Sequence, residues 1–156
     1  MAHDGGTACA FVFLPRSPRD ALVASAQRCA LVRRGDCRKE HPSSVVERFA
    51  SHAVGDIGIS VITLAELEYG VSKSSRPAKN REALDQFISP LEVSPFDRQA
   101  TAAYGKLRAT LEKKGQSIGS MDLLIAAHAL RLGVRLITHN VTEFGRVPGL
   151  RIDDWA

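Results

Sequence analysis

Three polar residues lie inside otherwise apolar segments, and their types are those that hold metal ions and water. Glu66 lies in SVITLAELEYG, Asp122 in GSMDLLIAAHAL and Asn140 in LITHNVTEF. Carboxylate and amide oxygens suit hard cations such as Mg²⁺ or Mn²⁺. Such a cation can lower the pKa of bound water and neutralise a phosphate, which hydrolysis of a phosphodiester requires. Together the three residues indicate a carboxylate-lined metal pocket.

Each of these residues also has a structural interpretation. An Asp in the first turn of a helix stabilises that helix by about 0.3–1 kcal/mol, and an Asn after a strand is commonly a turn residue. Glu66 is harder to explain in this way, because Leu64 and Leu67 flank it and a buried unpaired carboxylate is costly. Glu66 is therefore expected to have a cationic partner.

Histidine offers no alternative metal site in the sequence. The five histidines show no metal-ligand spacing: His3, His41, His52, His128 and His139. His128 lies in an apolar helical stretch and is interpreted as a hydrogen-bonded helix residue. His139, beside Asn140, is a weaker candidate for contact with a substrate.

Strands and helices alternate along the chain from Pro42. The β-rich run Ile57–Ile62 precedes a helix that opens at Thr63, and Asp97 caps a long helix that ends at Gly115. Ser120–Leu132 is a largely apolar helix, which predicts a central position. A further helix is predicted over 77–89 and short strands over 91–93, 134–137 and 150–155. This alternation predicts a parallel sheet covered on both faces, in which ligands bind beyond the carboxyl ends of the strands.

Residues 1–41 differ in composition from the rest of the chain. They contain seven Lys or Arg, four Asp or Glu and all three cysteines, whereas residues 42–156 contain fourteen Lys or Arg and thirteen Asp or Glu. The cysteine spacing fits neither a zinc pair nor a disulfide framework, which favours unpaired thiols in a reducing compartment. A strand at Ala10–Leu14 and a following helix are predicted within this segment.

Targeting signals are not evident. No apolar run approaches the roughly 20 residues that a membrane-spanning helix needs. The start of the chain lacks the basic region of a secretion signal. We therefore expect a cytoplasmic protein without a membrane partner.

Three segments of the sequence resemble a known family. ISVITLAELEYGV, IGSMDLLIAAHAL and LITHNVTEFGRVPGLRIDDW are similar, in order and spacing, to the PIN-domain ribonuclease toxins of the VapC type. The resemblance covers about Pro42 to Trp155, so we expect a PIN-like domain over 42–156 and an atypical segment over 1–41. It implies an α/β fold, a PIN-like α/β/α sandwich with a mostly parallel central sheet, and Mg²⁺- or Mn²⁺-dependent endoribonuclease activity. It also implies an RNA substrate, a VapB-like antitoxin that occludes the site, and a homodimer.

The resemblance implies roles for individual residues. Glu66 matches the family's helix glutamate and Asp122 its metal-binding aspartate, so these two would hold or orient the metal. Asn140 stands where many members have Asp, and Asn140 or Thr138 would position water or the scissile phosphate. Glu66, Asp122 and Asn140 are thus the implied catalytic residues. Contacts to the RNA backbone are expected from basic residues: Lys113, Lys114 and Arg146.

The N-terminal quarter departs from the family pattern. The family's first strand ends in a Leu-Asp-Thr-Asn type motif whose Asp is a principal metal ligand, and that Asp is expected near Ala30. Residues 25–35 read SAQRCALVRRG and contain no acid. Asp20 and Asp36 are possible surrogates, although each has a simpler role at a helix start or in a loop.

Two explanations follow from this departure. Either the N-terminal quarter is native and the chain is a diverged or impaired nuclease, or it is non-native sequence joined to an authentic toxin body. The change in charge and cysteine content near residue 41 favours the second explanation. The alternative function is a catalytically impaired PIN-like module that retains antitoxin or RNA binding.

Overall fold

The computed structural model describes the backbone of residues 11–12 and all of residues 57–155. This part of the chain forms five strands and five helices, numbered here in chain order. The strands are β1 (Phe11–Val12), β2 (Gly58–Ser60), β3 (Glu92–Ser94), β4 (Arg135–Ile137) and β5 (Arg151–Asp153). The helices are α1 (Val61–Lys73), α2 (Pro77–Ile88), α3 (Arg98–Lys113), α4 (Ser120–Leu132) and α5 (Val141–Phe144).

Two of the three strand pairs in the described residues are parallel. β2 pairs with β3, with Ile59 opposite Val93, and β4 pairs with β5, with Leu136 opposite Ile152. β1 lies beside β4 and is antiparallel to it. These strands form two separate sheets within the described residues, β1–β4–β5 and β2–β3. The predicted α/β fold with mostly parallel strands is confirmed, and the strand predicted at Ala10–Leu14 forms in part. Because β1 is antiparallel, its carboxyl end lies at the sheet edge opposite to the carboxyl end of β4.

Side-chain caps fix where two of the helices begin. α1 begins at Val61, two residues earlier than predicted, because Ser60 Oγ accepts a hydrogen bond from the Ile62 N–H at 3.1 Å. α3 begins as predicted, since the Asp97 side chain accepts from the Ala100 N–H at 2.7 Å. Both caps satisfy backbone donors that the first turn of a helix leaves free.

α4 lies at the centre of the core, as its apolar sequence predicted. It has the predicted bounds and ends at Gly133, whose φ of 69° lies in the left-handed region that favours glycine. Ile125, Ala126 and Ala129 in this helix are fully buried. The apolar residues that form the core around them come from every layer: Ile59, Leu67, Val71, Leu84, Leu107, Leu111, Leu136, Ile137 and Phe144. Each large side chain among them contributes about 1.5–3 kcal/mol by leaving water.

Several predictions from the sequence lie outside the described residues. They are the helix that follows Leu14 and the surrogate acids Asp20 and Asp36. The boundary between residues 41 and 42 also falls there. Within the described residues, no helix is both long and apolar enough to cross a bilayer.

Candidate functional site

The carboxyl group of Asp122 lies in the first turn of α4 and is the most perturbed acid of the described site. Asp122 is only 5% exposed. Burial, followed by a hydrogen bond with the Glu143 carboxyl group and the negative charges of Glu143 and Glu66, raises the pKa of Asp122 to about 7. Near neutral pH, Asp122 can therefore hold a proton and donate it to Glu143 in a hydrogen bond.

Glu66 approaches the same position from α1. It is half-buried in the second turn of that helix. After burial and Glu143, its negative charge is a further cause of the raised pKa of Asp122. Two acids 56 residues apart in the sequence thus lie close enough to interact across the α1–α4 contact.

Glu143 is a third acid of the site, and the sequence reasoning missed it. It lies on the short helix α5, and its Oε2 accepts a hydrogen bond from the Gly119 N–H at 3.1 Å. The pattern Asn140-Val-Thr-Glu143 has the spacing of a capping box, which predicts a helix start at this point. That signal identifies α5, but in the structure the Asn140 side chain makes no capping bond. Both side chains are directed instead toward Asp122.

Asn140 holds one oxygen of the Asp122 carboxyl group. Its Nδ2 donates to Asp122 Oδ2 at 3.2 Å, and its backbone N–H donates to Thr138 Oγ1 at 3.1 Å. Thr138 is fully buried, and this hydrogen bond holds the backbone of Asn140 in place. The other oxygen, Asp122 Oδ1, is buried and has no hydrogen-bond partner among the described residues.

The chemistry of these donors fits a divalent cation. No Lys or Arg of the described residues forms an ion pair with Asp122 or Glu143. The orphaned Asp122 Oδ1 among acidic neighbours is therefore a position that a cation would stabilise. Within residues 57–155, no three His, Cys, Asp or Glu side chains are already grouped around one point as ligands. Mg²⁺ commonly takes one or two carboxylates and completes its shell with water and substrate phosphate, which suits this arrangement.

The remaining predicted residues lie outside this acid cluster of Glu66, Asp122 and Glu143. His139 is exposed, and its Nδ1 lies 3.0 Å from Asp154 Oδ2. His128 is buried and hydrogen-bonded, as the sequence predicted. Arg146 is exposed, and its Nη1 donates to the Ser117 carbonyl oxygen at 3.3 Å, two residues from Gly119. The other two basic candidates are exposed at the end of α3: Lys113 and Lys114.

Comparison with known proteins identifies relatives of the whole fold. Residues 30–150 match the PIN domain family. Ribonuclease VapC2 of Rickettsia felis is 45% identical over 117 residues, which cover 74% of this chain and 87% of the relative. The tRNA(fMet)-specific endonuclease VapC of Salmonella typhimurium is 44% identical over 118 residues, covering 76% and 89%.

Solved structures agree with the sequence comparison. DNA-bound VapBC from Salmonella typhimurium matches with a TM-score of 0.71 and 43% identity, over 74% of this chain and 86% of the other. VapBC2 from Rickettsia felis, bound to a DNA fragment from its promoter, also has a TM-score of 0.71, with 41% identity over 83% and 95%. PIN-domain ribonucleases generally depend on a divalent metal. The chain belongs to the PIN domain family and, within it, to the VapC ribonucleases, the toxins of VapBC toxin–antitoxin systems.

Proposed function

We propose that this protein is an endoribonuclease whose acid cluster holds Mg²⁺ or Mn²⁺, and that it is the toxin of a VapBC-type pair. Asp122 and Glu66 are the proposed metal-holding residues, and Glu143 joins them. The observation that carries this proposal is the buried Asp122 Oδ1, which has no hydrogen-bond partner among the described residues and lies beside other carboxylates. A fold-stabilising carboxylate would have an N–H or cationic partner at that oxygen.

The side chains around the cluster have distinct roles in this proposal. Asn140 fixes Asp122 Oδ2, and the Gly119 N–H fixes Glu143 Oε2, so both carboxylates keep a defined orientation. The pKa of about 7 belongs to Asp122 in the absence of metal, and a bound cation would keep this carboxylate deprotonated. A bound divalent cation supplies the neutralisation of phosphate charge and the activation of water that phosphodiester hydrolysis requires.

Basic residues near the cluster are proposed to contact the RNA backbone. Arg146 is held beside residues 117–119, which border the acids through Gly119. Its guanidinium group is therefore placed to meet a phosphate next to the scissile one. Lys113 and Lys114 are exposed at the end of α3 and are proposed to make weaker, non-specific contacts.

Names of the relatives suggest the substrate and partners. A related VapC is named as a tRNA(fMet)-specific endonuclease, so a structured RNA such as a tRNA is the substrate class we propose. A VapB-type antitoxin is the partner, since the matched structures are VapBC complexes. A homodimer and a cytoplasmic location complete the proposal. We also retain a PIN-like domain over 42–156, with 1–41 as an atypical segment.

The N-terminal segment motivates a second candidate, a catalytically impaired module that still binds an antitoxin or RNA. Residues 25–35 contain no acid to match the family's first-strand Asp. In addition, β1 is antiparallel to β4, so its carboxyl end lies at the other edge of the sheet. Loss of one metal ligand lowers activity strongly while leaving a fold intact.

RNA cleavage separates the two candidates. Purified protein is incubated with a tRNA and with Mg²⁺ or Mn²⁺, and EDTA serves as the metal-free control. The endoribonuclease proposal expects cleavage that EDTA abolishes and that Asp122→Ala removes, whereas Asp85→Ala, an exposed acid on α2, leaves it unchanged. If the wild-type protein does not cleave the tRNA but still binds a VapB-type antitoxin, the result supports the impaired module instead.

A further inference from the structure

A buried histidine links the two helices that carry Glu66 and Asp122. His128 on α4 is 1% exposed, and its Nδ1 lies 2.8 Å from Ser60 Oγ at the start of α1. Its Nε2 lies 3.4 Å from Ser94 Oγ at the end of β3. The ring therefore joins α4 to the ends of both strands of the β2–β3 pair.

Hydrogen bonds and burial both act on this ring. Burial lowers the pKa of His128, which favours the neutral ring, while the Pro95 backbone hydrogen bond opposes that shift. A backbone carbonyl oxygen only accepts, so the ring nitrogen that bonds to Pro95 carries hydrogen. Nδ1 shares a hydrogen bond with the Ser60 hydroxyl group, whose oxygen also accepts from the Ile62 N–H.

Each residue of the Ser60–His128 bond lies the same number of residues from one of the two acids. Ser60 precedes Glu66 by six residues along α1, and Asp122 precedes His128 by six residues along α4. Six residues of helix span about 9 Å. The two helices therefore meet at two levels with opposite chain directions, the serine–histidine bond at one and the two acids at the other.

From this arrangement we infer that His128 is a positioning residue that sets the separation between Glu66 and Asp122 through its bond to Ser60. A hydrogen bond of 2.8 Å tolerates little sliding of one helix along the other, whereas apolar contacts alone tolerate more. Ligand positions around a cation must be right to a few tenths of an ångström. The role in cation binding rests on the proposed function, but the geometric role does not.

Two substitutions of His128 form a matched pair. His128→Asn places an amide oxygen near the position of Nδ1 and can keep the Ser60 bond. His128→Gln places its amide near Nε2 and loses that bond. Leu84→Ala, at a position 1% exposed on α2, controls for loss of core packing on a helix that carries neither acid. The measurements are crystal structures of all four proteins and Mg²⁺ or Mn²⁺ dissociation constants from calorimetry.

We expect only one of the three variants, His128→Gln, to change the site. In His128→Gln, the separation of the Glu66 and Asp122 carboxyl groups changes by about 1 Å or more, and the dissociation constant rises about 10- to 100-fold. His128→Asn and Leu84→Ala keep both values near those of wild type. The inference is overturned if His128→Gln keeps the wild-type separation, or if Leu84→Ala alters it as much. If wild-type protein binds neither cation, the proposed function fails, and the crystal structures still decide the positioning role.

Discussion

α4 carries two buried polar groups six residues apart, and their surroundings are opposite in character. The His128 ring is partnered at both nitrogens. The Asp122 carboxyl group faces Glu143 and Glu66 and keeps one buried oxygen without a hydrogen-bond partner among the described residues. A satisfied buried group holds a fold together, whereas one left among like charges is a candidate for a functional role.

His128 and Asp122 lie on the same helix, and each faces α1 at a different level. The polar linkage at His128 joins α4 to the start of α1, and the acids Glu66 and Asp122 interact where the same two helices approach each other again. Variants that remove one group at a time test this division.

The largest expected effect comes from Glu143→Gln. Loss of one proposed ligand should reduce metal-dependent RNA cleavage by about 100-fold. The free energy of unfolding without metal should not fall, because a negative charge beside Asp122 is removed. Single-turnover cleavage and urea unfolding at pH 8 measure both effects. Glu82→Gln, an exposed acid on α2, is the matched control, and an equal loss of activity in it would refute the assignment.

The second expected effect is a pH dependence of the free energy of unfolding that comes from Asp122. The folded-state pKa of Asp122, about 7, lies above its ordinary value of 3.8, so folded protein binds the proton more tightly than unfolded protein. Without metal, this group's contribution to the free energy of unfolding is therefore fully present below about pH 4. It falls as the pH rises to about 7, by at most about 1.4 kcal/mol per pH unit. Urea unfolding from pH 4 to 8 measures the slope, and Asp122→Asn should remove this component; an unchanged slope would contradict the raised pKa.

A smaller effect is expected from Asn140→Asp. The substitution removes the donor to Asp122 Oδ2 and adds a negative charge. The metal-free protein should lose about 1 kcal/mol of stability, while the dissociation constant for Mg²⁺ should fall because the site gains a carboxylate. Thermal unfolding with and without Mg²⁺ reports both changes. Weaker Mg²⁺ binding in this variant would show that Asn140 acts on something other than the cation site.

The smallest effect is expected from Ser94→Ala at the histidine. The Ser94–His128 contact of 3.4 Å is long, and the ring keeps its bonds to Ser60 and to the Pro95 carbonyl. We expect a loss of about 0.5 kcal/mol in the free energy of unfolding and unchanged RNA cleavage. A marked loss of cleavage in Ser94→Ala would mean that the hydrogen bonds of His128 and the acids around Asp122 do not have separate roles.

Much of this arrangement could be predicted from local sequence signals. Asp97 and Gly133 gave the correct limits of their helices because capping and left-handed glycine act through neighbouring backbone groups. The positions of Glu66 and Asp122 on separate helices were likewise readable from the apolar runs around them. Those signals need no knowledge of the distant parts of the chain.

Other features depended on contacts that a linear pattern does not show. Glu143 was missed in the sequence, because its turn toward Gly119 depends on how α5 packs on α4. α1 begins two residues before the predicted Thr63, because Ser60 caps the helix at a point where the sequence still reads as a β-rich run. The direction of β1 against β4 is set by strand pairing, which composition does not fix. The roles of the three acids remain predictions.

The central claim is that Asp122, Glu66 and Glu143 hold one divalent cation. Paramagnetic Mn²⁺ broadens amide resonances close to it, so its position can be mapped by titrating Mn²⁺ into isotope-labelled protein. The account predicts that the amides of Gly119, Asp122 and Glu143 broaden first and that excess Mg²⁺ restores them. Broadening that begins at the exposed acids of α2, or that is unchanged in Asp122→Asn, would contradict it.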